Sequence, residues 1–223
     1  MKASRISVSP SVAQNWSYNA SFRWDQTLKN VLFDELTGTI DLQTKGVYLR
    51  PTATIQRIDN YAYFDTLANA KQVANAIGVF RTGFSAGGKH GKFEWTSMVF
   101  VNTKTGPDVI RMPSFVANAC FALNVQYKKL LYMQFGMDVH HQSAYFADAY
   151  MPALQQYHLQ DRFEIPTYLQ VDPYVSLRIN RVRLFFKFQN ATQGLLNNNY
   201  YTAYLHPAMA RSFGYGVRWL LFD

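Results

Sequence analysis

The strongest constraint on this chain is a period-two alternation of apolar and polar residues, seen clearly where the sequence closes on SFGYGVRWLLFD (212–223). Side chains of an extended strand point alternately to its two faces. One face of this segment therefore carries Phe213, Tyr215, Val217, Trp219 and Leu221. The other face carries Gly214, Gly216 and Arg218. Such a segment is predicted to be a strand with an apolar environment on one side only.

The same alternation recurs through most of the sequence, and no helical periodicity competes with it over a comparable length. It predicts ten strands, at 16–24, 33–42, 46–56, 73–85, 92–101, 115–127, 131–140, 168–179, 182–190 and 212–223. Residues 3–8 either form an eleventh strand or extend the strand at 16–24. The stretch 141–160 has some helix-like spacing that Pro152 interrupts, so we predict a loop there with room for a short helix.

The connections between the predicted strands alternate in length. Short ones lie near 43–46, 86–91, 128–130 and 180–181, and we interpret Gly87 and Gly88 as turn residues. Long ones lie near 57–72, 102–114, 141–167 and 190–212. Short periplasmic turns that alternate with long extracellular loops are typical of outer-membrane barrels, whose strands need about 9–11 residues to cross the bilayer. The pattern predicts an all-β, antiparallel up-and-down transmembrane barrel with about 10–12 strands in this chain.

The charges on the polar faces of these strands indicate which side meets water. A Lys or Arg on a lipid-facing position near mid-membrane would cost about 2–4 kcal/mol, so these charges should face a wet lumen. Our candidates for the lumen lining are Arg50, Asp138, Asp172, Arg178, Arg183 and Lys187. A soluble β-sandwich or a lipocalin-type barrel would show the same period and is the main alternative.

The sequence offers little chemistry beyond this pattern. The net charge is +8, but the cations form no runs, which argues against a nucleic-acid partner. Cys120 is the only cysteine, so an internal disulfide is impossible. Asp138 and His140 share a face but fit a polar lumen pair better than an acid–base pair. We therefore predict no enzymatic activity, no catalytic residues, no cofactor and no metal site.

Six segments, in order along the chain, resemble the family described as putative outer-membrane porins of Bacteroidota. They are SFRWDQTLKN (21–30), NYAYFDTLANAKQ (60–72), VIRMPSF (109–115), SAYFADAYMPALQQYHLQ (143–160), RINRVRLFFKFQNATQGL (178–195) and YYTAYLHPAMARSFGYGVRWLLFD (200–223). The resemblance implies that residues 1–223 are one barrel domain corresponding to the C-terminal part of a longer family barrel. The chain is then either a fragment or begins at an internal start, and it either closes a barrel alone or forms part of a larger one.

The resemblance also implies a location and partners. The chain would sit in the outer membrane of a Gram-negative envelope, in contact with outer-membrane lipid. Its last strand, with Phe213, Tyr215, Val217, Trp219, Leu221 and Phe222, would be the signal read by the barrel assembly machinery. We expect passive diffusion of small hydrophilic solutes through a polar, net-cationic lumen. The alternative is a non-conducting structural or binding barrel that acts through its long extracellular loops.

Overall fold

The computed structural model describes residues 5–9, 28–153, 155–195 and 201–219, and this part of the chain contains β-strands and turns without any helix. No helix that is long and apolar enough to cross a membrane occurs among these residues. One eleven-stranded antiparallel sheet dominates the structure. The remaining strands form four small two-stranded sheets.

The main sheet is built from strands that follow one another along the chain. Its members are β1 (Arg5–Ser9), β2 (Leu32–Thr39), β3 (Leu42–Thr44), β4 (Val47–Asp59), β7 (Ile77–His90), β8 (Phe93–Thr105), β9 (Phe115–Tyr127), β10 (Leu131–Gln142), β15 (Tyr168–Ile179), β16 (Val182–Gln189) and β19 (Ser212–Trp219). Each pairs with the next in the order β1-β2-β4-β7-β8-β9-β10-β15-β16-β19, and β3 extends β2 alongside β4. This is an up-and-down sheet, as predicted.

The predicted strands agree closely with these bounds. Residues 115–127 and 168–179 match β9 and β15 at both ends. Residues 5–9 form a strand of their own, β1, which pairs directly with β2. The predicted strand at 16–24 lies outside the described residues. Within the described residues, β1 and β19 each pair with a strand on one side only, so the sheet has two edges and is not closed.

One turn prediction was wrong. Gly87 and Gly88 lie inside β7, and the turn falls at residues 91–92 instead. The ring of Tyr48 explains the glycine at position 87, because a Cβ there would approach that ring to 2.6 Å. Gly87 therefore serves close packing between strands rather than a turn.

The long connections contain the small sheets. β5 (Ala62–Phe64) pairs with β6 (Ala70–Gln72), and β11 (Tyr145–Phe146) pairs with β14 (Glu164–Ile165). β12 (Ala149–Met151) pairs with β13 (Gln156–His158), and β17 (Tyr201–Ala203) pairs with β18 (His206–Pro207). The described part of 141–160 thus holds strands and turns and no short helix. We call the end of the sheet that carries these connections the long-loop end and the opposite end the short-turn end.

The sheet is strongly curled, and its polar face is the concave one. Tyr48 of β4 and Gln170 of β15 line the same cavity of about 440 Å³, although five strand-to-strand steps separate them. In a flat sheet five steps would span about 24 Å. The convex face carries the apolar side chains, many of them exposed: Ile55, Phe80, Phe84, Phe135, Met137, Phe186, Phe213, Tyr215, Val217 and Trp219. This arrangement is that of a barrel wall, polar inside and apolar outside.

A buried apolar cluster lies at the long-loop end. Ile58, Ile77 and Val79 occupy concave-face positions there, since they alternate along β4 and β7 with the convex-facing residues. They pack with residues of the long connections, namely Val73, Val109 and Leu159. The connections 60–76, 106–114 and 143–167 therefore fold inward over the concave face. We call these three segments the loop cap.

Candidate functional site

All six predicted lining residues lie on the concave face. Register shows this directly for two pairs, because Asp138 lies opposite Asp172 and Arg178 lies opposite Arg183. Residues directly opposite in an antiparallel pair share a face. Five of the six nevertheless divide into an acid-paired group in the middle of the sheet and a basic group at the short-turn end, and Arg50 belongs to neither group.

The middle group consists of Lys187 and two carboxylates. Lys187 Nζ lies 2.9 Å from Asp138 Oδ2 and 3.3 Å from Asp172 Oδ2. Asp172 is buried and also accepts hydrogen bonds from the Asn190 backbone N–H (2.8 Å) and the Gln170 amide (3.0 Å). One lysine between two carboxylates leaves this group with a formal charge of −1. Lys187 therefore adds no free positive charge to the concave face.

Arg50 is also paired. Its Nε lies 3.2 Å from Asp41 Oδ1, and its guanidinium lies 5.0 Å from the centre of the Tyr48 ring. This contact of a cation with a ring face is attractive and holds the arginine against the wall of the sheet.

The basic group is different, because its cations lie beside one another. Arg178, Arg183 and Arg218 occupy directly opposite positions on the adjacent strands β15, β16 and β19. Like charges in such positions destabilise a sheet. Within the described residues none of the three has a carboxylate within salt-bridge distance, and only Arg178 has a ring partner, Tyr132, at 4.5 Å.

Two lysines complete this basic group. Lys89 at the end of β7 and Lys92 in the following turn line a cavity of about 470 Å³ together with Arg178 and Arg183. The polar side chains of Asn124, Gln126, Gln134 and Ser176 line the same cavity. Glu94 lies opposite Lys89 in register, but its carboxylate accepts a long hydrogen bond from Asn124 instead. We call Lys89, Lys92, Arg178, Arg183 and Arg218 the basic cluster.

Aromatic rings on the concave face lie along the wall. Tyr48, Tyr174 and Phe185 each lie opposite a glycine on the neighbouring strand: Gly87, Gly136 and Gly216. A Cβ at Gly136 would lie 2.1 Å from the Tyr174 ring, and one at Gly216 would lie 2.3 Å from the Phe185 ring. The rings therefore fold onto the glycines of their neighbours. Inward aromatic residues in the sequence suggest a filled interior, whereas these three rings lie against glycines of the neighbouring strands.

The loop cap is held by polar residues of the segment NYAYFDTLANAKQ (60–72). The Gln72 amide donates to the backbone carbonyls of Asn60 and Lys29, both at 2.7 Å. Asp65 Oδ1 accepts from the backbone N–H groups of Leu67 and Asn69, both at 2.9 Å. Burial alone would raise the pKa of Asp65, but the hydrogen bonds from Lys71 and these amides together lower it to about 2.

A second polar centre of the cap surrounds Arg111. Its guanidinium donates to Asp108 (2.9 Å) and Asp161 (2.6 Å) and lies 5.7 Å from the centre of the Phe146 ring. Asp148 lies near it, and burial raises the pKa of this carboxyl, whereas Arg111 and His158 oppose that shift. The Oδ1 atom of Asp148 is buried and has no hydrogen-bond partner among the described residues.

Sequence reasoning missed two parts of this site. Lys89, Lys92 and Arg218 were not among the candidates, although the alternation in β7 and β19 places Lys89 and Arg218 on the polar face. The loop cap was missed because periodicity describes strands and gives no contact between distant loops. The signal that pointed to the cap was the resemblance of three segments, 60–72, 109–115 and 143–160, which contribute residues to the cap and its core.

Other candidate chemistry remains weak in the structure. The described residues contain no group of three or more His, Cys, Asp or Glu side chains placed to hold a metal ion. His140 Nδ1 contacts Asn118 Oδ1 and not Asp138. In the predicted assembly signal, Phe213, Tyr215, Val217 and Trp219 are exposed on the convex face of β19. Leu221 and Phe222 lie outside the described residues.

Comparison with known proteins agrees with this architecture. The family described as "putative porin" matches residues 1–223. The chain belongs to this family. No curated protein matches it. A solved structure of P. aeruginosa FpvA, bound to a heterologous pyoverdine and iron, is similar over 97% of this chain with a TM-score of 0.57 and 13% identity.

The likeness to FpvA concerns the fold alone. This chain spans only 30% of the FpvA chain that it matches. Membership of the putative-porin family points to an outer-membrane location. The predicted all-β, up-and-down barrel architecture is thereby confirmed, whereas the roles of individual residues stay predictions.

Proposed function

We propose that this porin-family chain contributes to a Gram-negative outer-membrane barrel through which small hydrophilic solutes diffuse passively, with a preference for anions. The observation that carries the proposal is the basic cluster. Three arginines directly opposite one another cost stability in a sheet, and no carboxylate in the described part of the chain is paired with them. A passage that attracts anions would explain why these arginines lie side by side.

The rest of the concave face supports the same function. Its polar side chains surround water-accessible space, and its aromatic rings lie against glycines and leave that space open. The acid-paired group in the middle of the sheet carries no excess positive charge. We therefore place the selectivity of the passage at the short-turn end, chiefly at Arg178, Arg183 and Lys89. In this proposal the protein is a non-enzymatic channel.

The test is conductance in planar bilayers, with ion selectivity taken from the reversal potential in a salt gradient. We expect stable, anion-favouring steps from the purified protein. Arg183→Glu should reduce the preference for anions strongly, because it removes one positive charge and adds one negative charge between Arg178 and Arg218. Arg162→Glu is a matched control, since it makes the same charge change at an exposed position in the loop cap.

Two results would contradict the proposal. A folded barrel that inserts into bilayers and gives no steps would exclude passive diffusion by this protein. Steps with equal selectivity in the wild type and in Arg183→Glu would show that conduction does not depend on the basic cluster.

A non-conducting barrel that binds partners through its loops is the second candidate. The loop cap favours it, because a buried apolar core and a network of hydrogen bonds give these loops a defined shape. Absence of conductance in the wild type and in a variant whose residues 143–167 are replaced by a two-residue Asn-Gly turn between β10 and β15 would support this second function. Conductance that appears only after this replacement would identify the cap as a closure of the passage.

We further propose that β19 is the segment read by the barrel assembly machinery. The exposed apolar side chains of Phe213, Tyr215, Val217 and Trp219 form one continuous stripe along the last described strand, which supports this role. Tyr215→Asp together with Val217→Asp should lower the amount of folded barrel in the outer membrane. The measurement is heat-modifiable mobility of membrane fractions, and Gly214→Ala is the control on the opposite face of the same strand.

A further inference from the structure

A cavity of about 230 Å³ lies within the loop cap, on the outer side of the apolar core. Its lining residues include Tyr61, Tyr63 and Tyr157 together with Val109 and Leu159 of the core, against which Tyr61 and Tyr63 pack. The volume equals that of several water molecules. No residue of the basic cluster or of the acid-paired group lines this cavity.

The cavity also has polar groups of three kinds. Asp148 contributes a carboxylate, Gln156 an amide and Lys71 an ammonium group. Lys71 is anchored by Asp65 at 2.8 Å. Asp148 is the exceptional member, because its Oδ1 atom is buried and lacks a partner among the described residues. Asp148 as a whole is only partly buried, and no hydrogen bond among the described residues goes to its carboxylate, so the accessible part of this carboxylate can accept a hydrogen bond from a ligand in the cavity.

The geometry points to a binding site for a neutral sugar in the loop cap. A sugar ring presents apolar C–H faces to aromatic rings and hydroxyl groups at its edge. Tyr61, Tyr63 and Tyr157 suit the faces, because aromatic side chains combine a large apolar surface with a polar tip. Asp148 accepts from one hydroxyl group, and Lys71 donates to another. Pockets of this composition, mostly apolar with a few convergent polar groups, are typical of small-molecule sites.

An organic ammonium ion is the competing ligand class, because aromatic rings beside a carboxylate also attract cations. The hydrogen-bond donors of the lining residues argue against an ammonium ligand. The ammonium group of Lys71 would repel such a ligand, and the NH₂ group of Gln156 would find no acceptor on it. A hydroxyl group both donates and accepts, and it matches the carboxylate, the amide and the ammonium group together.

The cavity is reachable from outside. Tyr157 is 58% exposed, and the Lys71 side chain is 54% exposed. Both belong to the long connections, which lie beyond the strands of the main sheet. A sugar could therefore bind without passing along the concave face, and the site does not depend on whether the barrel conducts.

Calorimetric titration of the purified, folded protein with glucose, galactose and N-acetylglucosamine tests the site. We expect at least one of these sugars to bind with a dissociation constant of about 1 mM or tighter. Asp148→Asn keeps the size of the side chain and loses its charge, and it should weaken binding about tenfold or more. Tyr157→Ala changes an exposed residue, which spares the fold, and it should weaken binding as well.

Matched controls lie outside the cavity. Glu164→Gln alters an exposed carboxylate of the same connection, and Tyr127→Ala alters an exposed tyrosine at the short-turn end; both should bind sugar as the wild type does. No heat of binding at about 10 mM of every sugar would overturn the inference and leave the cavity to water. Binding of tetramethylammonium in place of the sugars would overturn it too. Sugar binding that survives both Asp148→Asn and Tyr157→Ala would place the ligand elsewhere.

Discussion

The two ends of the concave face have opposite characters although the same strands build them. At the long-loop end, Ile77 is completely buried beneath the loop cap. At the short-turn end, Arg178 and Arg183 are exposed, and their cavity is open to solvent. Both ends lie on one face of one sheet, so strand geometry alone does not cause the difference.

Loop length and side-chain type together explain the contrast. The connections at the long-loop end are long enough to fold back, and they bring Val73, Val109 and Leu159 onto apolar wall residues. Turns of two or three residues cannot fold back, so the wall beside them stays wet and can carry charge. In the proposed function, the passage is therefore covered by the loop cap at one end and selects ions at the other.

The largest expected effect comes from weakening the covered end. Ile77→Ala should lower the free energy of unfolding by about 2–5 kcal/mol, because it leaves a cavity in the core of the cap. Leu67→Ala is the control, since Leu67 lies in the same cap but is 76% exposed, and its effect should stay within about 0.5 kcal/mol. Urea unfolding of the protein in lipid vesicles measures both. Equal effects of the two variants would show that the apolar cluster does not hold the cap.

The next effect concerns the acid-paired group that separates the two ends. Lys187→Gln leaves Asp138 and Asp172 opposite each other without their shared cation. We expect a loss of about 2–3 kcal/mol, less than the ~3–5 kcal/mol of a fully buried pair, because Lys187 and Asp138 are partly exposed. The same unfolding measurement applies.

A second variant separates the charge effect from a packing effect at this position. Lys187→Gln combined with Asp138→Asn should recover most of the lost stability, because it leaves a single carboxylate. No recovery would mean that the lysine acts through its aliphatic stem and not through its charge.

The sequence was sufficient to predict the strands that form the barrel wall, but not the contacts that form the loop cap. Alternation with a period of two determines the face of each strand residue, and it predicts that Asp138, Asp172, Arg178 and Arg183 lie on the polar face. It could not show that Lys187 is neutralised, because Lys187 Nζ reaches beyond Asp172 on the adjacent strand β15 to Asp138, which lies 49 residues away in sequence. It also could not show that Gly87 lies under Tyr48, since pairing register joins these residues and their spacing does not.

The cap depends on contacts that have no local signal. Val109 and Leu159 lie 50 residues apart, and Leu159 N–H donates to the Phe64 carbonyl at 2.9 Å, nearly a hundred residues away. The sequence of a hydrophobic loop does not show which distant residues it packs against. The resemblance of three segments, 60–72, 109–115 and 143–160, was the only indication in the sequence that these loops have a defined structure.

A smaller effect is expected from the wall glycines. Gly136→Ala places a Cβ 2.1 Å from the Tyr174 ring and should push that ring into the open space of the concave face. We expect a loss of about 1–2 kcal/mol, at the low end for overpacking, because the ring has room to turn away. Single-channel conductance should fall as well. Gly214→Ala is the control, since its nearest neighbour would be the Lys187 carbonyl oxygen at 3.8 Å, and it should change neither quantity.

The smallest effect is a pH dependence confined to the cap. The pKa of Asp65 is about 2 in the folded protein, below the value of about 3.9 for an unfolded chain. A lowered pKa stabilises the fold above the unfolded value, and this contribution is lost as the pH falls from about 4 towards 2. The Asp65→Asn variant can still accept hydrogen bonds from the amides of Leu67 and Asn69, so the turn should survive while the ion pair with Lys71 disappears. Limited proteolysis of the cap between pH 2 and pH 7 should then show a dependence in the wild type that is weaker in this variant. Lys71 is exposed to solvent, so we expect the hydrogen bonds of the turn to hold the loop more strongly than the ion pair does. Asp65→Ala removes the ion pair and these hydrogen bonds together, and it should open the cap at every pH.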